Sequence, residues 1–231
     1  PYPSRDLSTS KDHHYRERHF MKHVVQKHLA QSIAAMQATL ADLHIADTIV
    51  TIAEITANAM QAGRKLLVAG NGGSAADAQH LVAEFVVRLA ANRPALRAIA
   101  LTTDSSILTA TGNDFGFDGI FSRQIEALGQ PGDIFLGIST SGNSPNILKA
   151  LHQARELDII TIGFSGNGGG QMRGLCDHNV VIPSDVTMNI QECHLALEHI
   201  FCMVVERFYF APTFDSKPQN STEPNLSQVS L

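Results

Sequence analysis

Cysteine is scarce: Cys176, Cys193 and Cys202 are the three in the chain, and no two of them form a CxxC pair. An odd, scattered set excludes a disulfide framework and fits reduced thiols in a cytosol. No run of about 18 apolar residues occurs, which excludes a transmembrane helix. The N-terminal stretch has no apolar signal core, so secretion is not expected and a cytoplasmic protein is. An excess of basic residues is missing too. The formal net charge is -5, which argues against general nucleic-acid binding. What is present is ordinary for a globular chain: 44% hydrophobic and 17% charged residues in 231. That is enough for one substantial α/β domain with a buried core.

Residues 1–20 carry little apolar content, with His13, His14 and His19 among Arg and Lys, and read as a flexible solvated arm. From Met21 the pattern becomes helical. Val24, Val25, Leu29, Ile33, Met36, Leu40 and Leu43 recur at three- and four-residue intervals. A second amphipathic helix is expected from Ala46 to Gln61, stopped by Gly63. Five short apolar runs follow: Lys65 to Ala69, Leu96 to Leu101, Asp133 to Ile138, Ile159 to Phe164 and Asn179 to Ile182. Helical segments separate them, so the pattern predicts βαβ units in a parallel sheet with helices on both faces. A last helix is expected from Thr187 to Phe210. Residues 21–211 thus read as one domain, and 212–231, rich in Pro, Ser and Asn, as a disordered tail.

Chemistry-bearing residues cluster where strands should end. Gly70-Asn71-Gly72-Gly73-Ser74 reads as a strand-to-helix turn whose bare amides can approach an anion, with Ser74 as helix cap. The helix behind it, Ala75 to Leu89, places His80, Glu84 and Arg88 on one face. His80 and Glu84, one turn apart, suit metal binding or acid/base work, or else form a plain surface pair. Ser139-Thr140-Ser141-Gly142-Asn143-Ser144-Pro145 offers hydroxyls and amides at a helix start, with Ser144 as cap and Pro145 first. Such a loop is either a cap alone or a phosphate cradle without a lysine. Gly166-Asn167-Gly168-Gly169-Gly170 echoes the first glycine turn and reads as a flexible turn rather than a second ligand loop. Asn113 and Asp114 stand in a polar turn suited to hydroxyl recognition. The last helix carries Gln191, Glu192, His194, Glu198 and His199 among apolar residues.

Together these stretches resemble the phosphoheptose isomerases, a branch of the sugar isomerase (SIS) domain proteins. The resemblance rests on GNGGSAADAQHLVAEF from Gly70, ALTTDSSILTATGNDFGF from Ala100, GISTSGNSPNIL from Gly137 and NIQECHLALEH from Asn189. It covers roughly Met21 to Ala211. STSGNS marks SIS domains generally, whereas QHxxxE together with the late IQExHxxxxH is more specific.

The resemblance implies a three-layer α/β/α fold with a five-stranded parallel sheet and an N-terminal helical hairpin. It implies Glu84 and His199 as catalytic base and acid, and zinc (Zn2+) held by His80, Glu84, Gln191 and His199. Substrate contacts are implied at Asn71, Gly72, Gly73, Glu84, Asn113, Asp114, Ser139, Thr140, Ser141, Ser144 and Gln191. The implied reaction turns sedoheptulose 7-phosphate into glycero-manno-heptose 7-phosphate, towards nucleotide-activated heptose for surface polysaccharide. Family members are cytoplasmic homotetramers.

The residue types suit that chemistry. A ketose-to-aldose shift through an enediol needs a carboxylate for the carbon proton and a donor for the oxygen. A divalent ion would polarise the carbonyl. Gln191 and His199, eight residues apart, are separated by about 12 Å on a straight helix, so their side chains must converge, the helix bend, or a neighbouring subunit contribute. The family commonly has a basic residue just before IQE, where this chain has Met188 and Asn189, which bears on phosphate affinity or sugar identity. Two other functions fit the same motifs: a non-catalytic SIS protein that binds the replication initiator, and an isomerase or sensor for another sugar phosphate.

Overall fold

The computed structural model describes the backbone of residues 7–90 and 92–214, and the side chains of 17–90 and 92–210. Two helices come first, α1 (Leu7–Ala41) and α2 (Leu43–Gln61), joined at Asp42, whose carboxylate accepts the His44 amide at 3.0 Å. They form the expected helical hairpin. The first helix begins at Leu7, inside the stretch read as an arm, and runs unbroken through Met21. Its polar first half carries no core-facing period, which is why composition alone did not mark it as helix. Residues 215–231 of the expected tail lie outside the described residues.

Five parallel strands make one sheet: β1 (Leu66–Gly70), β2 (Ala98–Ala100), β3 (Ile134–Ser139), β4 (Ile160–Ser165) and β5 (His178–Val181). Each lies within two residues of its predicted run. Alternate residues of a strand point to opposite faces, and here both faces are buried. Leu66, Val68, Leu136 and Phe164 face a core with Ile52 of α2, Phe85 of α3 (Gly73–Val86) and Phe201 of α7 (Thr187–Phe214). Leu67, Ala69 and Phe135 face a second core with Ile125 of α5 (Ser122–Leu128) and Ile147 and Leu151 of α6 (Pro145–Glu156). The result is the three-layer α/β/α arrangement, α4 (Ser105–Phe115) following β2.

The strand order is β2-β1-β3-β4-β5. The chain steps outward from β1 to β2, then returns to lay β3 on the other side of β1. Consequently α3 and α6, which follow the neighbouring strands β1 and β3, pack on opposite faces of the sheet. The crevice between such a pair, at the carboxyl ends of the strands, is where open α/β sheets bind ligands. The two loops richest in chemistry emerge there.

Candidate active site

Both helices that open onto the crevice start without a side-chain cap. Gly72, at φ 56°, is the N-cap of α3, and no side chain caps it. Ser74 therefore sits buried within the first turn and is not the cap that the sequence led us to expect. The positive φ of Gly72 turns the chain early enough for the helix to begin at Gly73. Ser144 is the N-cap of α6 with Pro145 first, as expected, but its hydroxyl makes no cap bond. It bonds instead to the Ser139 hydroxyl at 2.8 Å, and Ser141 Oγ accepts the Asn143 amide at 3.1 Å. Thr140 is half-buried beside them. Uncapped N–H groups with aligned hydroxyls form an anion-binding surface.

A reciprocal amide pair ties these loops together. Asn71 Nδ2 donates to Asn146 Oδ1 at 2.9 Å, and Asn146 Nδ2 donates to Asn71 Oδ1 at 2.8 Å. Asn146 is almost fully buried. Sequence reasoning missed it, because an asparagine in the first turn of a helix carries no distinguishing signal. The glycine turn at 166–170 differs from the flexible turn expected. It is packed against the serine loop: the Gly166 amide donates to Thr140 O, the Met172 amide to Gly142 O and the Gln171 amide to Asn143 Oδ1, at 3.0 to 3.1 Å.

The side chains suited to proton transfer come from α3 and α7, which lie alongside each other. His80 Nε2 and His199 Nε2 are 2.7 Å apart, and Glu84 Oε1 is 3.6 Å from His80 Nε2. One donor atom each from His80, Glu84 and His199 fall within 4.8 Å of one another. Glu84 is more enclosed than His80, at 18% against 41% side-chain exposure, so the carboxylate lies deeper in the cluster. Two imidazoles and a carboxylate are ordinary zinc ligands, so the cluster offers the donor types of a zinc site. Gln191 is two turns earlier on α7, with its amide against Gly73, where a Cβ would overlap it. Gly73 thus allows α7 to approach the start of α3. Asn113 and Asp114 are in the last turn of α4, exposed and bonded to each other at 2.7 Å, rather than in a turn between helices.

Arg88 does not join this face. Helix α3 ends at Val86, because Arg93 takes the carbonyls of Glu84 and Phe85 that a longer helix would offer to the next turn. Behind the cluster lies a buried polar layer. Glu198 has no exposure, and neither of its carboxylate oxygens has a hydrogen-bond partner among the described residues. Burial pushes its carboxyl up to about 8, and the neighbouring Asp77 carboxylate adds to the shift. Asp77 is itself raised by burial, with His80 opposing. His194, also fully buried, meets the Ser165 carbonyl at 3.1 Å through Nε2, and burial holds its imidazole down at about 4.

A parallel sheet with uncapped helix starts and a serine loop at its switch point defines a SIS domain, and the SIS domain family pattern matches residues 28–166. A phosphoheptose isomerase of Burkholderia pseudomallei is 53% identical over 175 residues, 76% of this chain and 89% of that protein. One from Nitratidesulfovibrio vulgaris is 51% identical over 173 residues, 75% of this chain and 83% of that protein. The solved phosphoheptose isomerase of Neisseria gonorrhoeae superposes with a TM-score of 0.76 at 41% identity, covering 80% of this chain and 98% of that one. The chain belongs to the phosphoheptose isomerase family of SIS domain proteins.

Proposed function

We propose that this enzyme isomerises sedoheptulose 7-phosphate to D-glycero-D-manno-heptose 7-phosphate, in the formation of nucleotide-activated heptose for lipopolysaccharide or capsule. The observation that carries this reading is the convergence of His80, Glu84 and His199 between α3 and α7, in a domain that also has two anion-ready loops at its switch point. The phosphate is bound by Ser139, Thr140, Ser141 and Ser144 at the start of α6, away from the reacting carbons, so its binding energy orients the sugar. Asn71, Gly72, Gly73, Asn113, Asp114 and Gln191 serve the substrate's remaining oxygens. Glu84 takes the proton from C1 and returns it to C2, while His199 gives a proton to O2 and receives one from O1. Proton and charge balance across the enediol.

His80, Glu84 and His199 would hold a zinc ion, with Gln191 as the fourth residue of the set. A bound ion there supplies Lewis-acid polarisation of the substrate carbonyl. We further propose a cytoplasmic homotetramer. Its support is the apolar stripe of α1, where Val25, Leu29, Ile33 and Leu40 recur along one face and are exposed in the single chain. Among the described residues no helix is long and apolar enough to cross a membrane.

The test is proton NMR of the purified protein with sedoheptulose 7-phosphate in deuterated water. Aldose signals carrying deuterium at C2, lost on chelation, restored by zinc and absent from a folded Glu84→Gln variant, are expected. Unchanged turnover in Glu84→Gln would sink the assignment of the base. No turnover in the zinc-loaded wild type overturns the isomerase reading, and capture of the replication initiator would then identify the binding protein.

A further inference from the structure

We infer that Arg93 and Glu206 form a brace that positions the base Glu84 on α3 relative to the acid His199 on α7. The inference rests on the roles given to those two residues above. Arg93 stands between α3 and β2, and its guanidinium spreads its bonds over two elements. Nε donates to Glu206 Oε1 of α7 at 2.6 Å. One terminal nitrogen donates to the backbone carbonyl of Glu84 itself at 2.6 Å. The other donates to the Phe85 carbonyl at 2.7 Å and the Pro94 carbonyl at 3.0 Å. Both side chains are buried, with 3% of Arg93 and 4% of Glu206 exposed.

Three features make this more than an incidental ion pair. The carbonyls it takes are those that α3 leaves unpaired at its C-terminus, where a cation is favoured. One of them belongs to the residue whose side chain performs the proton transfer. Glu206 lies seven residues beyond His199, two turns on along the same face of α7. The Phe85 and Phe201 rings pack between the helices, with centroids 5.7 Å apart. The guanidinium is therefore a rigid strut between the helix of the base and the helix of the acid. Its planar fork serves several acceptors in fixed directions, a geometry a lysine ammonium does not reproduce.

Arg93 and Glu206 are thus positioning residues, acting through Glu84 and His199 rather than on the sugar. The experiment compares Arg93→Lys and Glu206→Gln with wild type, measuring kcat and KM for sedoheptulose 7-phosphate with zinc present, and folding by circular dichroism. We expect kcat to fall about a hundredfold, the cost of misplacing a catalytic group by about 1 Å, while KM stays within about twofold because the phosphate loops are untouched. A folded variant with wild-type kcat overturns the inference, as does a rise in KM with kcat preserved. Should Arg93→Lys fail to fold, Glu206→Gln decides, since it keeps the side chain's shape but removes the negative charge that holds the guanidinium. Failure of both to fold assigns the pair to stability alone and overturns the positioning role. Glu84→Gln, run alongside, separates the two readings: if it is inactive while Arg93→Lys is fully active, only the brace is wrong, and if it is active the base assignment is.

Discussion

Gly142 is the position where one added methyl group has the most to break. It sits in the serine loop at φ 65°, and a Cβ there would overlap the carbonyl of Gly169 in the glycine turn. An alanine in that left-handed region costs about 1 kcal/mol. The obstacle is backbone rather than a side-chain end, so relief requires the loop and the turn to separate. Separation strains the bonds from the Met172 amide to Gly142 O at 3.1 Å and from the Gln171 amide to Asn143 Oδ1 at 3.0 Å. Each is worth about 1 kcal/mol, which brings Gly142→Ala to about 3 kcal/mol of lost stability. Gly168 in the same turn also has positive φ, 73°, but among the described residues nothing lies within 4 Å of a Cβ added there. Gly168→Ala should cost only the conformational part, about 1 kcal/mol. Guanidinium chloride unfolding of both variants measures the difference, and KM for the sugar phosphate should rise only in Gly142→Ala. Equal losses in the two variants, or a wild-type KM in Gly142→Ala, would refute the claim that the glycine turn supports the phosphate loop.

Two further outcomes follow from buried groups. His194 is held near 4 against an ordinary 6.5, so its contribution to stability is complete above pH 6.5. Below that the unfolded chain takes up a proton that the folded protein refuses, and stability falls by about 1.4 kcal/mol per pH unit down to about 4. Relative to wild type, His194→Gln should recover about 2 kcal/mol between pH 6.5 and 5 in denaturant unfolding, and parallel pH profiles would contradict this. Cys176, Cys193 and Cys202 are free thiols, and burial raises all three, Cys176 and Cys202 to about 12. A disulfide-exchange reagent at pH 8 should therefore label the native protein slowly and all three thiols at once in denaturant. Rapid labelling of any native thiol would show the burial to be wrong.

Local pattern was enough for the elements and for the residue types of the site. Short β-rich runs closed by glycine or serine turns can only be buried strands at this spacing, so their limits were legible to within two residues. The four-residue step from His80 to Glu84 puts both on one helix face whatever surrounds them. The end of α3 was not legible, since it depends on Arg93 reaching back to the carbonyls of Glu84 and Phe85. Nor was the packing of the glycine turn, a string of glycines being compatible with a flexible loop until a neighbour fills the space.

The sequence by itself determined the alternation of strand and helix and the inventory of donors and acceptors, because those depend on residues a few positions apart. Tertiary structure alone decided which of them meet. It laid β3 beside β1, opening the crevice between α3 and α6. It brought His80 to His199, Asn71 to Asn146 and Arg93 to Glu206 across separations of 119, 75 and 113 residues. Such contacts leave no period in the chain, since they arise from the docking of whole helices onto the two faces of the sheet.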